Sequence, residues 1–238
     1  MRVLVALLLM ALFGYGATIT VAAAANMSYV LPELVKSFEK KHPGIKIQAV
    51  FASSGKLAAQ IQKGAPFEIF LSADMDYPKK LYRQGYTATR PLVYAKGELV
   101  FLSEKITSLK DLPKLSRIAI ANPKTAPYGK AAKEALQNMG LWQKVRSKLI
   151  FGESVAQTFF YATKAADGGF VARSALYAPK AKAVQKHIIP VDRAFYRPIE
   201  QGAVLLKRAS GEAKEFFCFL FSPEAVKILE SFGYRCDD

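Results

Sequence analysis

Three short apolar runs near the start of the chain, TITVAAAA (18–25), IKIQAVFA (45–52) and FEIFLSA (67–73), are each followed by a helical pattern. After the first, Val30, Leu31, Leu34, Val35 and Phe38 recur at three- and four-residue intervals, and Pro43-Gly44 stops the pattern. After the second, Leu57, Ala58 and Ile61 mark a helix ending at Gly64; the third leads through Leu81 and Tyr82 to Gly85. Strands alternating with helices in this way predict a parallel sheet with helices on its faces.

A second series begins near Gly97. ELVFLS (98–103), RIAIAN (117–122), KLIFG (148–152), GGFVA (168–172) and HIIPV (187–191) read as strands, while PYGKAAKEALQNMG (127–140) and a segment from about Ser154 to Ala166 read as helices. GAVLL (202–206) and two helices separated at Pro223 close the chain. A length of 238 residues accommodates two α/β domains side by side, with a crossover near Tyr94–Gly97.

The N-terminus sets the compartment. MRVLVALLLMALFGYGA has Arg2, an apolar stretch Val3–Phe13 and small residues at Gly14 and Gly16, the layout of a secretory signal over residues 1–16. The apolar core before Gly14 is too short to span a bilayer, so export is expected rather than anchoring. In an oxidising compartment Cys218 and Cys236 are expected to form a disulfide that pins the C-terminus. Neither His42 nor His187 stands at a metal-ligand spacing from them. The formal charge of +15 invites a polyanion as partner. The basic residues are dispersed, however, and no aromatic–basic interleaving marks a stacking platform, so a solvated basic surface is expected and no nucleic acid.

Four strand-to-helix junctions carry polar or small residues: Ala25-Asn26, Ser53-Ser54-Gly55, Ala126-Pro127-Tyr128-Gly129 and Glu153-Ser154-Val155. In an open parallel sheet ligands bind beyond the carboxyl ends of the strands. The first backbone N–H groups of each following helix lack intrahelical partners, and the helix end favours an anion by about 0.3–1 kcal/mol. Asn and Ser are equally ordinary helix caps, so each junction taken alone reads as structure before function. Tyr128 is not needed as a cap, and its hydroxyl is a donor that could reach a cleft. Pattern alone thus describes an exported two-domain α/β protein whose junctions either cap helices or hold a small anion.

Enzymatic readings find less support. Ser53 and Lys56 have the S-x-x-K spacing of penicillin-recognising enzymes, but SFEK (37–40) matches as well inside a helix, and neither S-D-N nor K-T-G occurs. Leu57 stands where a P-loop needs Ser or Thr, and G-x-S-x-G, H-E-x-x-H and G-x-G-x-x-G are missing. No enzyme activity is expected, with an exported S-x-x-K serine hydrolase as the distant alternative.

FASSGKLAAQIQKGAPFEIFLSAD (51–74) resembles the F-A-S-S-[ST]-x-L-A-x-Q-I-x-x-G-A-P-x-D-[LIV]-F-[LI]-S-A-D block of periplasmic molybdate-binding proteins, the ModA family. The likeness extends to VAAAANMSYVLPELVKSFEKKHPG, IANPKTAPYGKAAKEALQNMGLW and ESVAQ. It implies a type II periplasmic binding protein fold: two α/β domains joined by two crossovers, residues 17–95 with about 199–238 in one and 96–198 in the other. It implies a protein of the periplasm, a monomer, that captures molybdate or tungstate and delivers it to a membrane ABC permease, with no cofactor. A same-fold protein for another oxyanion, sulfate or phosphate, is the alternative. The family's ligand positions fall on Asn26, Ser54, Tyr128 and the backbone of Val155, with Ala25 and Ser53 beside them. The ligand would be held through its oxo groups, with no protein atom on the metal. Many members carry a tyrosine donor where this chain has Ala172, so the resemblance leaves Tyr128 to supply a hydroxyl from the opposite side. Glu68 replaces the usual Asp.

Overall fold

The computed structural model describes residues 16–177 and 188–236. The expected export signal therefore lies outside the described residues except for Gly16. The first sheet joins Ala17–Ala24 (β1), Ile45–Ala52 (β2), Ile69–Ser72 (β3), Leu92–Gly97 (β4) and Ile199–Leu205 (β10) in the order β2-β1-β3-β10-β4. The second joins Leu99–Ser103 (β5), Ile118–Ala121 (β6), Leu149–Gly152 (β7), Gly168–Ala172 (β8) and Ile188–Pro190 (β9) in the order β7-β6-β8-β5-β9.

Both sheets are mixed, not purely parallel. β1 lies parallel to β2 and β3, and β6 lies parallel to β7 and β8, as strands joined by helical crossovers must. β10 runs antiparallel to β3 and β4, and β5 antiparallel to β8 and β9. β5 and β10 are the strands by which the chain enters each sheet from the other, so neither needs a helix to turn it round. One crossover is a single residue, Glu98, between β4 and β5; the other runs from β9 to β10. Periodicity places the first crossover near Tyr94–Gly97, but those residues are the end of β4, paired with β10.

Period-two alternation lets each sheet bury both faces. In β1, Ile19, Val21 and Ala23 face a cluster that includes Leu31, Leu34 and Phe38 of Leu31–Lys41 (α1), Phe216 of Gly211–Phe219 (α7) and Leu229 of Pro223–Ser231 (α8). Ala22 faces the other side, with Leu57 and Ile61 of Ser54–Gln62 (α2) and with Leu81 of Asp76–Arg83 (α3). The second sheet is covered by Pro127–Asn138 (α4), through Ala132, Ala135 and Leu136, and on its other face by Val155–Lys164 (α6), through Phe159. A short helix, Trp142–Val145 (α5), follows α4 and buries Val145.

The expected disulfide between Cys218 and Cys236 is not present in this structure. On α7 the buried residues Ala213, Phe216 and Phe217 make one helical stripe, and Cys218, a residue further round, is exposed. Cys236 is half-buried against the core beneath that stripe, so the two sulfurs face different surroundings.

The two halves meet across the carboxyl ends of their parallel strands. Gly55 N–H donates to Thr125 O at 2.9 Å, and Tyr77 Oη donates to Lys124 O at 3.3 Å. Lys130 pairs with Asp76 at 2.7 Å, and Lys56 pairs with Glu153. A Cβ on Gly55 would stand 2.5 Å from Tyr77 Oη and 3.0 Å from Thr125 O, so a side chain here would push the Tyr77 ring aside and crowd the contact between the halves.

Candidate ligand-binding cavity

A narrow cavity lies where the halves meet, with about 10 Å³ open to the centre of a water-sized sphere, between walls formed by Ala24, Ala25, Asn26, Ser53, Ser54, Ala73, Ala126, Pro127, Tyr128 and Val155. All six sequence-predicted ligand residues are in this wall, and no charged side chain is among its lining residues. Each junction reaches the cavity because a strand of one sheet ends there. β1 delivers Ala25-Asn26, β2 delivers Ser53-Ser54, β6 leads to Ala126-Pro127-Tyr128, and β7 leads to Val155. Ala172 is fully buried in the second-sheet core and does not line the cavity.

The serines are not caps. Ser53 occupies the N-cap position of α2, yet its side chain makes no capping bond, and its Oγ is buried without a partner. An unmet hydroxyl costs about 1–3 kcal/mol, which a cavity ligand would recover. Ser54 Oγ accepts the Ala73 N–H at 3.0 Å, and its own hydroxyl proton remains to be donated. By contrast, Ser154 does cap: its Oγ accepts from Gln157 N–H at 3.3 Å, ahead of α6. Val155, the first residue of that helix, has a backbone N–H with no partner inside the helix.

Tyr128 is the second residue of α4 and is 2 % exposed. Burial pushes its phenol well above the ordinary range, so the hydroxyl stays a neutral donor at physiological pH. That hydroxyl lies against Gly97, where an added Cβ would collide with it and stand 3.0 Å from Gln201 Nε2. The next residue, Gly129, brings α4 down onto β6. A Cβ there would stand 2.6 Å from the Ala121 carbonyl carbon and nearer still to its oxygen.

The first junction differs from expectation. It opens not an α-helix but a single 3-10 turn, Ala25–Ser28, and α1 begins only at Leu31. The Asn26 carboxamide nitrogen donates to Gln201 Oε1 and to Tyr234 Oη, both at 2.8 Å, while its Oδ1 is buried without a partner. Asn26 can therefore offer the cavity a backbone N–H from the start of the turn, where no intrahelical acceptor exists. Gln201 and Tyr234 are functional neighbours that sequence reasoning misses. They lie 175 and 208 residues from Asn26, and no local motif marks them.

The wall is thus a set of neutral donors at helix starts, with Lys56 outside it and paired to Glu153. Such a wall suits an anion whose oxygens need only acceptor roles. Comparison with known proteins agrees with this chemistry. The model of the bacterial extracellular solute-binding protein family matches residues 19–235, and the chain belongs to that family. A molybdate-binding protein ModA from Azotobacter vinelandii is 39% identical over 237 residues, covering 95% of this chain and 93% of that protein. The ModA of Rhodobacter capsulatus is 38% identical over 222 residues, covering 90% and 86%. Among solved structures, the periplasmic molybdate-binding protein of Azotobacter vinelandii superposes with a TM-score of 0.82 at 32% identity, over 92% of this chain and 100% of that one. The sulfate-binding protein SubI of Mycobacterium tuberculosis H37Rv has a TM-score of 0.73, covers 93% of this chain and 88% of its own, and at 14% identity shares the fold alone.

Proposed function

We propose that this protein captures molybdate, or its near-isostere tungstate, outside the cytoplasm and hands it to a membrane ABC permease. The observation that carries this reading is the uncharged cavity into which Asn26, Ser54, Tyr128 and Val155 converge, in a chain 38–39% identical to molybdate-binding proteins. A dianion held by several N–H and O–H donors gains about 1.5–3 kcal/mol per charge-assisted bond. Backbone donors at fixed helix starts cannot follow a smaller ion inward, so size discriminates against sulfate and phosphate. The metal is bound through its oxo groups, with Ala25 and Ser53 completing the wall. The protein acts as a monomer without cofactor and performs no reaction on its ligand.

Residues 17–97 with 199–236 form one domain in this reading and residues 98–198 the other, closing on the ligand about Glu98 and the β9–β10 connection. Residues 1–16 direct export to the periplasm. N-terminal sequencing of the exported protein is expected to give a start near Ala17; a start beyond Asn26 would remove a ligand residue and contradict the site. Thermal unfolding tests the ligand. At a thousandfold excess over Kd, molybdate or tungstate should raise Tm by roughly 8–16 °C, from about 4 kcal/mol at about 2–4 °C per kcal/mol. Equal shifts with sulfate and phosphate at the same concentration would favour the general oxyanion reading.

Tyr128 donates its hydroxyl to a ligand oxygen in this scheme. Tyr128→Phe keeps the ring and the turn, and should weaken molybdate binding by about ten- to a hundredfold. Should the ring merely fill space beside Gly97, titration of the phenylalanine variant would give unaltered affinity.

A further inference from the structure

Behind the cavity wall lies a buried polar cluster that the four junctions do not explain. Tyr234, near the C-terminus, is 3 % exposed, and its Oη accepts from Asn26 Nδ2 at 2.8 Å. The same hydroxyl lies 3.0 Å from Asn26 O and 3.3 Å from Ser174 Oγ, both of which can take its proton. Ser174, which follows β8 in the second half, donates to Asn26 O at 3.0 Å. Gln201 completes the set. Its Nε2 donates to Ile199 O at 2.9 Å, which turns its Oε1 toward Asn26 and leaves that carboxamide only one orientation. Both the side chain and the main-chain carbonyl of Asn26 are therefore fixed by groups distant in sequence, and the peptide direction of the 25–28 turn is fixed with them.

We propose that Tyr234 is a positioning residue for the oxyanion site: acting through Asn26, it aims the backbone donors of the first turn into the cavity and ties that turn to Ser174 across the closed cleft. The inference rests on the oxyanion reading for its ligand, but its geometry stands on the ligand-free protein. Three features support it. Tyr234 bonds Asn26 at two separate atoms, so removing one hydroxyl takes a partner from each, leaving the side chain to Gln201 and the carbonyl to Ser174. Its backbone neighbour Arg235 exchanges two hydrogen bonds with Lys96, at 2.6 and 2.9 Å, at the end of strand β4 before the crossover. The C-terminal segment is thereby fastened to the strand that leaves for the second sheet. Ser174, finally, belongs to the other half, so the cluster is complete only when the halves meet.

The test is Tyr234→Phe, which keeps the ring in its core. Stopped-flow and equilibrium titration with molybdate should show affinity about tenfold weaker, with the loss in the dissociation rate and the association rate within about twofold. In an Asn26→Ala background the same substitution should cost clearly less than in the wild type, because the side-chain half of what Tyr234 holds is already gone and only its bond to the main-chain carbonyl remains. Equal losses in both backgrounds, or unchanged affinity with only a lower Tm, would overturn the proposal and leave Tyr234 a packing residue. Amide hydrogen exchange of the ligand-free protein supplies an arm independent of molybdate. Exchange at residues 26–28 should quicken in Tyr234→Phe while α1 and α4 keep their protection, and an unchanged turn would also overturn the proposal. A wild-type protein that binds no oxyanion would defeat the functional reading alone, and the exchange result would still decide the role of Tyr234.

Discussion

Ser54→Ala is expected to weaken molybdate binding by at least ten- to a hundredfold, about 1.5–3 kcal/mol for one charge-assisted hydrogen bond. The loss has two parts. The hydroxyl proton that would go to the ligand disappears, and the Ala73 N–H that Ser54 Oγ accepts at 3.0 Å is left buried without a partner. Lys56→Ala, two residues on, should change affinity by less than about fivefold. Its side chain is 48% exposed and paired with a Glu153 that is 60% exposed, and exposed pairs contribute about 0–1 kcal/mol. The comparison of these two variants by equilibrium titration sets dipoles against charge. If Lys56→Ala abolished binding while Ser54→Ala left it intact, recognition by neutral donors would be wrong. Salt could still slow association strongly, since a basic surface steers an anion at long range.

Gly129→Ala should be the most damaging substitution to the fold near the site. The added Cβ would lie 2.6 Å from the Ala121 carbonyl carbon, and the obstacle is β6 backbone rather than a side chain that could swing away. Overpacking of this kind costs about 1–3 kcal/mol or more, which lowers Tm by roughly 2–4 °C per kcal/mol in a chain of this size. Relief is available only by lifting the start of α4 from the sheet, which carries Tyr128 away from the cavity. Loss of affinity should therefore accompany loss of stability, and circular-dichroism melting beside titration reads both. Wild-type values for the alanine variant would mean that the α4–β6 contact is looser than described.

The junctions were legible because each is a local pattern: a strand's end, one or two small polar residues, and a helix's start. What those residues do there was not. Ser53 and Ser154 are both serines at N-cap positions, and nothing in their sequence neighbourhoods says that Ser154 caps its helix while Ser53 does not. β4 was hidden for another reason. LVYAKG and LVFLS are apolar runs separated by Glu98 alone, and period-two alternation carries no mark of a change of sheet. Gln201, Tyr234 and Ser174 were out of reach because they meet Asn26 only through the tertiary fold. The cysteines illustrate the reverse error. Compartment chemistry argued for a bond that this structure does not contain: Cys218 lies on the exposed side of α7, while Cys236 packs against the core.

An uncharged ring of helix-start donors selecting a large tetrahedral dianion is the core of this account, and isothermal titration calorimetry of the protein lacking residues 1–16 tests it most directly. Molybdate and tungstate should each bind with a stoichiometry of one, and at least about a hundredfold tighter than sulfate or phosphate, a difference of about 2.7 kcal/mol. Sulfate or phosphate binding as tightly as molybdate, or molybdate giving no saturable heat, would contradict it.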